Sequence, residues 1–182
     1  MRVDPCIKGF TLVELMLAAA LGLILFGVAL SLLIGDAARS EAMAELIQTR
    51  RLQRRTLKLI KADLVQGATW LVEPADAASG SCGLAGRRPV LAIQHPNASP
   101  AVLYTIGKAP SPIWRSPVLM RCGPAFDLEG RTRPGSSFQN RVVLDGVDAF
   151  RITQPDGLPL LKLELEQHLP GDGPVVRSTA FG

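Results

Sequence analysis

The stretch Lys8-Gly9-Phe10-Thr11-Leu12-Val13-Glu14-Leu15 opens an apolar run that continues to Ile34, and its reading decides the fold. Glu14 is the only charged side chain in that run. A helix rises about 1.5 Å per residue, so about 20 apolar residues cross a hydrocarbon core of about 30 Å. Residues 10–34 are therefore long enough to span a bilayer with some tilt. They are too long for the apolar core of an ordinary secretory signal, which is about 7–15 residues. A carboxylate inside such a run is costly in hydrocarbon and needs a partner. Ala18, Ala19, Ala20, Gly22 and Gly27 would let neighbouring helices approach closely.

The helical pattern continues past the run. Over residues 36–65, Met43, Leu46, Ile47, Leu57, Ile60 and Leu64 recur at helical spacing and predict one apolar stripe. Arg50, Arg51, Arg54, Arg55, Lys58 and Lys61 fill much of the remainder and account for most of the modest net charge of +4. No proline interrupts residues 10–67, and Gly67 is a stop signal. The expectation is one continuous helix over residues 11–66, its second half laying the stripe on a sheet.

Beyond Gly67 the composition shifts to Gly, Pro, Ser and short β-branched runs. Residues 75–88 and 130–140 read as loops. Strands are predicted at 90–94, 101–106, 118–121, 141–144, 149–153, 160–167 and 175–179. The clearest has Leu161, Leu163 and Leu165 alternating with Lys162, Glu164 and Glu166, the period of a half-buried strand. Pro155-Asp156-Gly157 and Gly171-Asp172-Gly173 are turn signals between such runs. One long helix followed by antiparallel strands predicts an α+β fold, and residues 68–182 are enough for one domain of ordinary size.

The basic leader with Arg2 and Lys8, the Gly9-Phe10 junction, Thr11, Leu12 and Glu14 ahead of the apolar helix together resemble the N-terminus of type IV prepilins. They equally resemble the related pseudopilins of type II secretion. The resemblance implies a leader over residues 1–9, a transmembrane half of the helix over 10–34, an amphipathic half over 35–67 and an exported β-rich domain over 68–182. It implies cleavage between Gly9 and Phe10 by a prepilin peptidase/N-methyltransferase, and N-methylation of Phe10. It also implies that Glu14 pairs with the Phe10 amine of a neighbouring subunit during assembly. Two groups that both lack water relieve each other's desolvation by pairing. The competing reading is that Glu14 only snorkels to the headgroups.

The role implied is a structural or priming subunit, a minor pilin, held in the inner membrane by one span and then drawn into a pilus. Its partners would be other pilins, an inner-membrane assembly platform and the lipid bilayer. The absence of a proline from the apolar run leans toward a minor subunit. The alternatives are a minor pseudopilin of a type II secretion system and, from another class, a signal-anchored periplasmic binding module.

Export bears on the cysteines. Cys6 falls in the leader, whereas Cys82 and Cys122 fall in the exported part, where an oxidising exterior makes them a natural disulfide. Closing a loop of about 40 residues stabilises by about 4 kcal/mol in the chain-entropy model. Zinc is the competing reading. It fails because neither cysteine has a second Cys or His at ligand spacing, and His95 and His168 are isolated.

Other chemistry is thin. The basic cluster reads first as a solvated helix face, then as a contact for lipid headgroups or an acidic neighbour, and last as a DNA contact lacking aromatic partners. Asp145, Asp148, Asp156 and Asp172 do not form an EF-hand and suit turns better than calcium. Trp70 and Trp114 read as core or interface anchors, Tyr104 as ordinary packing and His95 as a surface residue. No nucleophile elbow, zinc-protease motif or phosphate loop occurs, so neither catalysis nor a cofactor is expected.

Overall fold

The computed structural model describes residues 11–74, 82–96, 101–125, 136–169 and 173–182, with side-chain burial described outside 33–39. It contains one helix, α1 (Leu12–Gln66), followed by strands β1 (Thr69–Val72), β2 (Arg88–Gln94), β3 (Val102–Gly107), β4 (Val118–Pro124), β5 (Phe138–Asp145), β6 (Val147–Thr153), β7 (Lys162–His168) and β8 (Val175–Phe181). The fold is α+β, a long N-terminal helix with a C-terminal antiparallel β domain. The chain divides after Ala44 into two units. The first, Met1–Ala44, holds the apolar run and the start of the polar part of α1, and the second, Glu45–Gly182, holds the rest of α1 and every strand among the described residues.

Within the second unit the strands form two antiparallel sheets, one in the order β1-β2-β3-β4-β5 and one in the order β6-β7-β8. Within each sheet every strand pairs with its sequence neighbours, as expected for antiparallel strands joined without crossovers. Only Gly146 separates β5 from β6, and there the chain leaves the larger sheet for the smaller. The Gly146 N–H donates to Arg115 O at 2.7 Å and the Val147 N–H to Pro117 O at 2.9 Å. These bonds occupy the backbone at the junction, as buried amides require.

The core gathers Leu57, Ile60 and Leu64 of α1 against Leu91, Ile93, Val102, Tyr104 and Leu119 of the larger sheet and Leu161, Leu163 and Leu165 by the smaller. The alternation in β7 is as its sequence predicts, with Leu163 and Leu165 inward and Lys162 and Glu164 on the other face. A second cluster, Cys82, Ala92, Leu103 and Cys122, covers the sheet on its other side. Cys82 and Cys122 are joined by a disulfide, with Cα atoms 6.0 Å apart.

Several expectations need correction. The stripe on α1 is shorter than its spacing suggests: Leu57, Ile60 and Leu64 are buried, whereas Met43 and Ile47 are exposed. The buried face is continued instead by the polar Thr49, Gln53, Thr56 and Asp63, which an apolar count overlooks. Strand β1 was not expected. It is a four-residue edge strand in which Trp70 and Val72 are half-buried and Leu71 exposed, and because Leu71 is apolar too its sequence does not show that alternation. The predicted loops 75–88 and 130–140 yield their ends to β2 and β5; 75–81 and 130–135 lie outside the described residues, as do Gly171 and Asp172 of one turn signal. His95 is buried, not a surface residue.

Gly67 does end α1, and its N–H donates to Asp63 O at 2.9 Å and Leu64 O at 3.1 Å. A Cβ there would run into Cγ2 of buried Ile93, closer than side chains approach. The glycine is thus required by contact between helix end and sheet. Gly67→Ala is expected to destabilise the protein by about 1–3 kcal/mol, the usual overpacking range, lowering Tm by several degrees in a thermal melt.

Candidate functional site

Thr11 and Glu14 build the start of α1. The Thr11 Oγ1 accepts the Glu14 N–H at 3.3 Å, while Glu14 Oε2 accepts both the Thr11 N–H and the Thr11 hydroxyl at 3.0 Å. This is a reciprocal capping box, in which residues three apart satisfy donors that a helix N-terminus leaves orphaned. The positive end of the helix dipole favours a carboxylate in the same place. The signal was present in the sequence as Thr-x-x-Glu before an apolar run, yet Glu14 was read there only for pairing or snorkelling. Gly9 and Phe10 lie outside the described residues.

From Leu12 to Leu32 the helix has a mean hydropathy of 2.5, and every residue in it is exposed. Leu12, Leu17, Leu23, Leu25 and Phe26 present large apolar surfaces with no covering partner among the described residues. Exposure on this scale needs lipid or other apolar helices around it.

The second half of α1 is fastened to the sheets by polar side chains. Tyr104 of β3 and Arg121 of β4 stand directly opposite each other in the ladder. Directly opposed residues share a face, and both reach Asp63 of α1. Arg121 donates through Nε to Asp63 Oδ2 at 2.7 Å and through Nη2 to Oδ1 at 2.9 Å. The Tyr104 hydroxyl donates to Oδ2 at 2.6 Å, and Arg121 Nη1 donates to Pro124 O at 3.0 Å. The Asp63 side chain is 0% exposed and that of Arg121 6%. Burial, with the Asp63 charge and hydrogen bond alongside, raises the Tyr104 hydroxyl well above the ordinary tyrosine range.

Two further ties lie on the same helix face. Gln53 Nε2 donates to Val176 O of β8 at 2.9 Å and its Oε1 accepts from the Ser178 hydroxyl at 2.6 Å. The Thr56 hydroxyl donates to Val143 O of β5 at 3.2 Å. Sequence reading missed all of these. The available signal was that polar residues occupy helical spacing with Leu57, Ile60 and Leu64.

Arg50, Arg51, Arg54, Arg55, Lys58 and Lys61 of α1 are all exposed. Arg50, Arg54, Lys58 and Lys61 border a shallow groove shared with Arg177 of β8. The aspartates weighed for calcium are dispersed: Asp145 pairs with Arg115 at 3.4 Å, Asp148 pairs with His168, and Asp156 sits in a turn with Gly157. Trp70 is half-buried against the core, whereas Trp114 remains partly exposed beside two clefts.

Residues 5–30 match the prokaryotic N-terminal methylation motif, the type IV prepilin-like signature. No curated protein and no solved structure matches the chain. The motif supports the type IV pilin or pseudopilin class, a class of structural subunits rather than enzymes. With the exposed apolar helix, it supports anchoring in a membrane by a single N-terminal helix. Processing by a prepilin peptidase and assembly with other pilins follow from the motif.

Removing one partner of a buried ion pair strands the other, at a cost of about 3–5 kcal/mol. Asp63→Leu is expected to lower Tm by about 10 °C. The triple variant Asp63→Leu, Tyr104→Phe, Arg121→Met should melt nearer the parent, because no buried charge is then unpaired.

The pH dependence has a definite sign. The folded state holds the Tyr104 proton to higher pH than the unfolded chain does. Its contribution is therefore complete below about pH 10 and is lost as pH rises toward the folded value. Denaturant titrations at about pH 9 and 11 should show less loss of stability in Tyr104→Phe than in the parent.

Proposed function

We propose that this protein is a minor type IV pilin, made as a precursor, cut between Gly9 and Phe10, methylated on Phe10 and assembled into a pilus. The observation that carries the reading is the position of Glu14. It is the single charge in an exposed apolar run of helix, and it is turned back onto the N–H and hydroxyl of Thr11, the residue just before that helix. Cutting at Gly9–Phe10 would place a new amine one residue before Thr11. In a filament core the carboxylate of one subunit and the amine of another would each gain a counter-charge where water is scarce.

On this reading residues 10–34 hold the precursor in the inner membrane with residues 68–182 outside the cytoplasm, and then move from lipid into a helical core. Residues 35–67 carry the β domain on the filament. The absence of a proline from the apolar run and the size of the β domain support a minor rather than a major subunit. The outward domain would serve priming, adhesion, motility or DNA uptake. A minor pseudopilin of a type II secretion system shares every feature up to the identity of the partner subunits.

N-terminal mass analysis tests the processing. Methyl-Phe10 is expected as the first residue when the prepilin peptidase is present, and Met1 when it is absent. The two roles of Glu14 separate on Glu14→Gln, because glutamine also serves at this position of a capping box but carries no charge. Incorporation into sheared fibres is expected to fall at least tenfold for Glu14→Gln as well as for Glu14→Ala, with membrane insertion intact. Normal incorporation of Glu14→Gln would reduce the residue to a helix cap.

A further inference from the structure

A cleft of about 760 Å³ opens beside the five-stranded sheet, lined by Arg87, Lys108, Trp114, Met120, Asn140 and Arg141 among others. Three of these are cations, and no carboxylate is among the described residues that line the cleft. Among the described residues none of the three has an ion-pair partner. Arg87 is unusual because it is buried, with 6% of its surface exposed. Its Nη2 donates to Gly83 O at 2.8 Å, whereas its buried Nε has no hydrogen-bond partner among the described residues. A buried donor left unmade is costly, and the cost is greater on a charged group. The Arg87 guanidinium is thus only partly used by its own chain, and the residue lines the cleft.

The surroundings hold Arg87 in place. A Cβ at Gly107 would lie 3.0 Å from Arg87 Cα and 3.1 Å from Cγ, so the glycine makes room for the arginine stem. Gly83 O also accepts from Asn140 Nδ2 at 3.3 Å. Its neighbour Cys82 is bonded to Cys122 of β4. Two lining side chains thus grip one carbonyl next to a covalent tie, which fixes this wall before any ligand arrives.

We propose that the cleft binds an acidic saccharide, a sugar chain bearing uronic carboxylates. The planar guanidinium of an arginine matches a carboxylate in shape and charge, and Lys108 adds a point charge at the rim. Trp114, 39% exposed, offers an amphipathic ring to the apolar face of a sugar. A single-stranded nucleic acid would call for successive stacking rings and a basic track along its backbone. Among the described residues this cleft has one ring, and its other apolar lining is aliphatic: Ala85, Ala109, Pro110, Met120 and Val142.

The test is calorimetric titration of the full-length chain in detergent with trigalacturonate, with neutral maltotriose and a short oligothymidylate as separate arms. Saturable binding of trigalacturonate and none of maltotriose is expected. Lys108→Gln with Arg141→Gln should weaken binding at least tenfold, and Trp114→Ala should weaken it also. The charges removed in the first variant are exposed, so Tm should not change. The proposal is overturned if trigalacturonate gives no saturable heat, if either variant binds it as the parent does, or if oligothymidylate is bound in preference.

Discussion

The buried meeting of Asp63 with Arg121 and Tyr104 is the constraint on which the arrangement of the second unit rests. An isolated carboxylate at 0% exposure would be prohibitive, and so would an isolated guanidinium. Together they use both carboxylate oxygens and most of the arginine fork, and the tyrosine hydroxyl completes the set. Such a cluster adds little net stability over an apolar replacement. What it supplies is geometry. Apolar contacts at Leu57, Ile60 and Leu64 tolerate sliding, but a two-pronged ionic contact is satisfied in one position only. Gln53 and Thr56 then fix the same helix to β8 and β5, so one helix face is tied to both sheets.

The two parts of α1 obey opposite rules. Between Leu12 and Leu32 the helix is apolar apart from Glu14 and Ser31 and exposed all round, with no covering partner among the described residues. Past Glu45 it has one face committed to its own sheets and another covered in arginine and lysine. The first part is specified by hydropathy and by the cap that Thr11 and Glu14 form at its start. The second needs particular hydrogen bonds.

That contrast explains what could be read from the chain. The apolar run, the helix through Gln66 and the stop at Gly67 follow from periodicity and from glycine chemistry. Strands such as β7 follow because leucines alternate with charged residues along them. Strand β1 escaped because an edge strand with an exposed leucine shows no such alternation. Asp63, Arg121 and Tyr104 escaped for a deeper reason. An aspartate on a basic helix and an arginine in a β run both read as surface residues until the register of β3 against β4 puts the arginine beside Tyr104 and under the helix. Likewise the cleft around Arg87 brings together Gly83, Gly107 and Arg141, which are distant from one another in sequence. At the N-terminal end, by contrast, every part of the motif is contiguous, and so it was legible.

Arg121 and Cys122 are consecutive residues of β4, and strand geometry sends them to opposite faces. One grips α1 through Asp63, and the other is covalently joined to Cys82. A tensile load carried down α1 therefore enters the sheet at one residue and finds a covalent exit at the next. Because β4 has a neighbour on each side, shearing it loose means breaking two ladders at once. Within the second unit the strand works as a tie-bar between the helix contact and the disulfide.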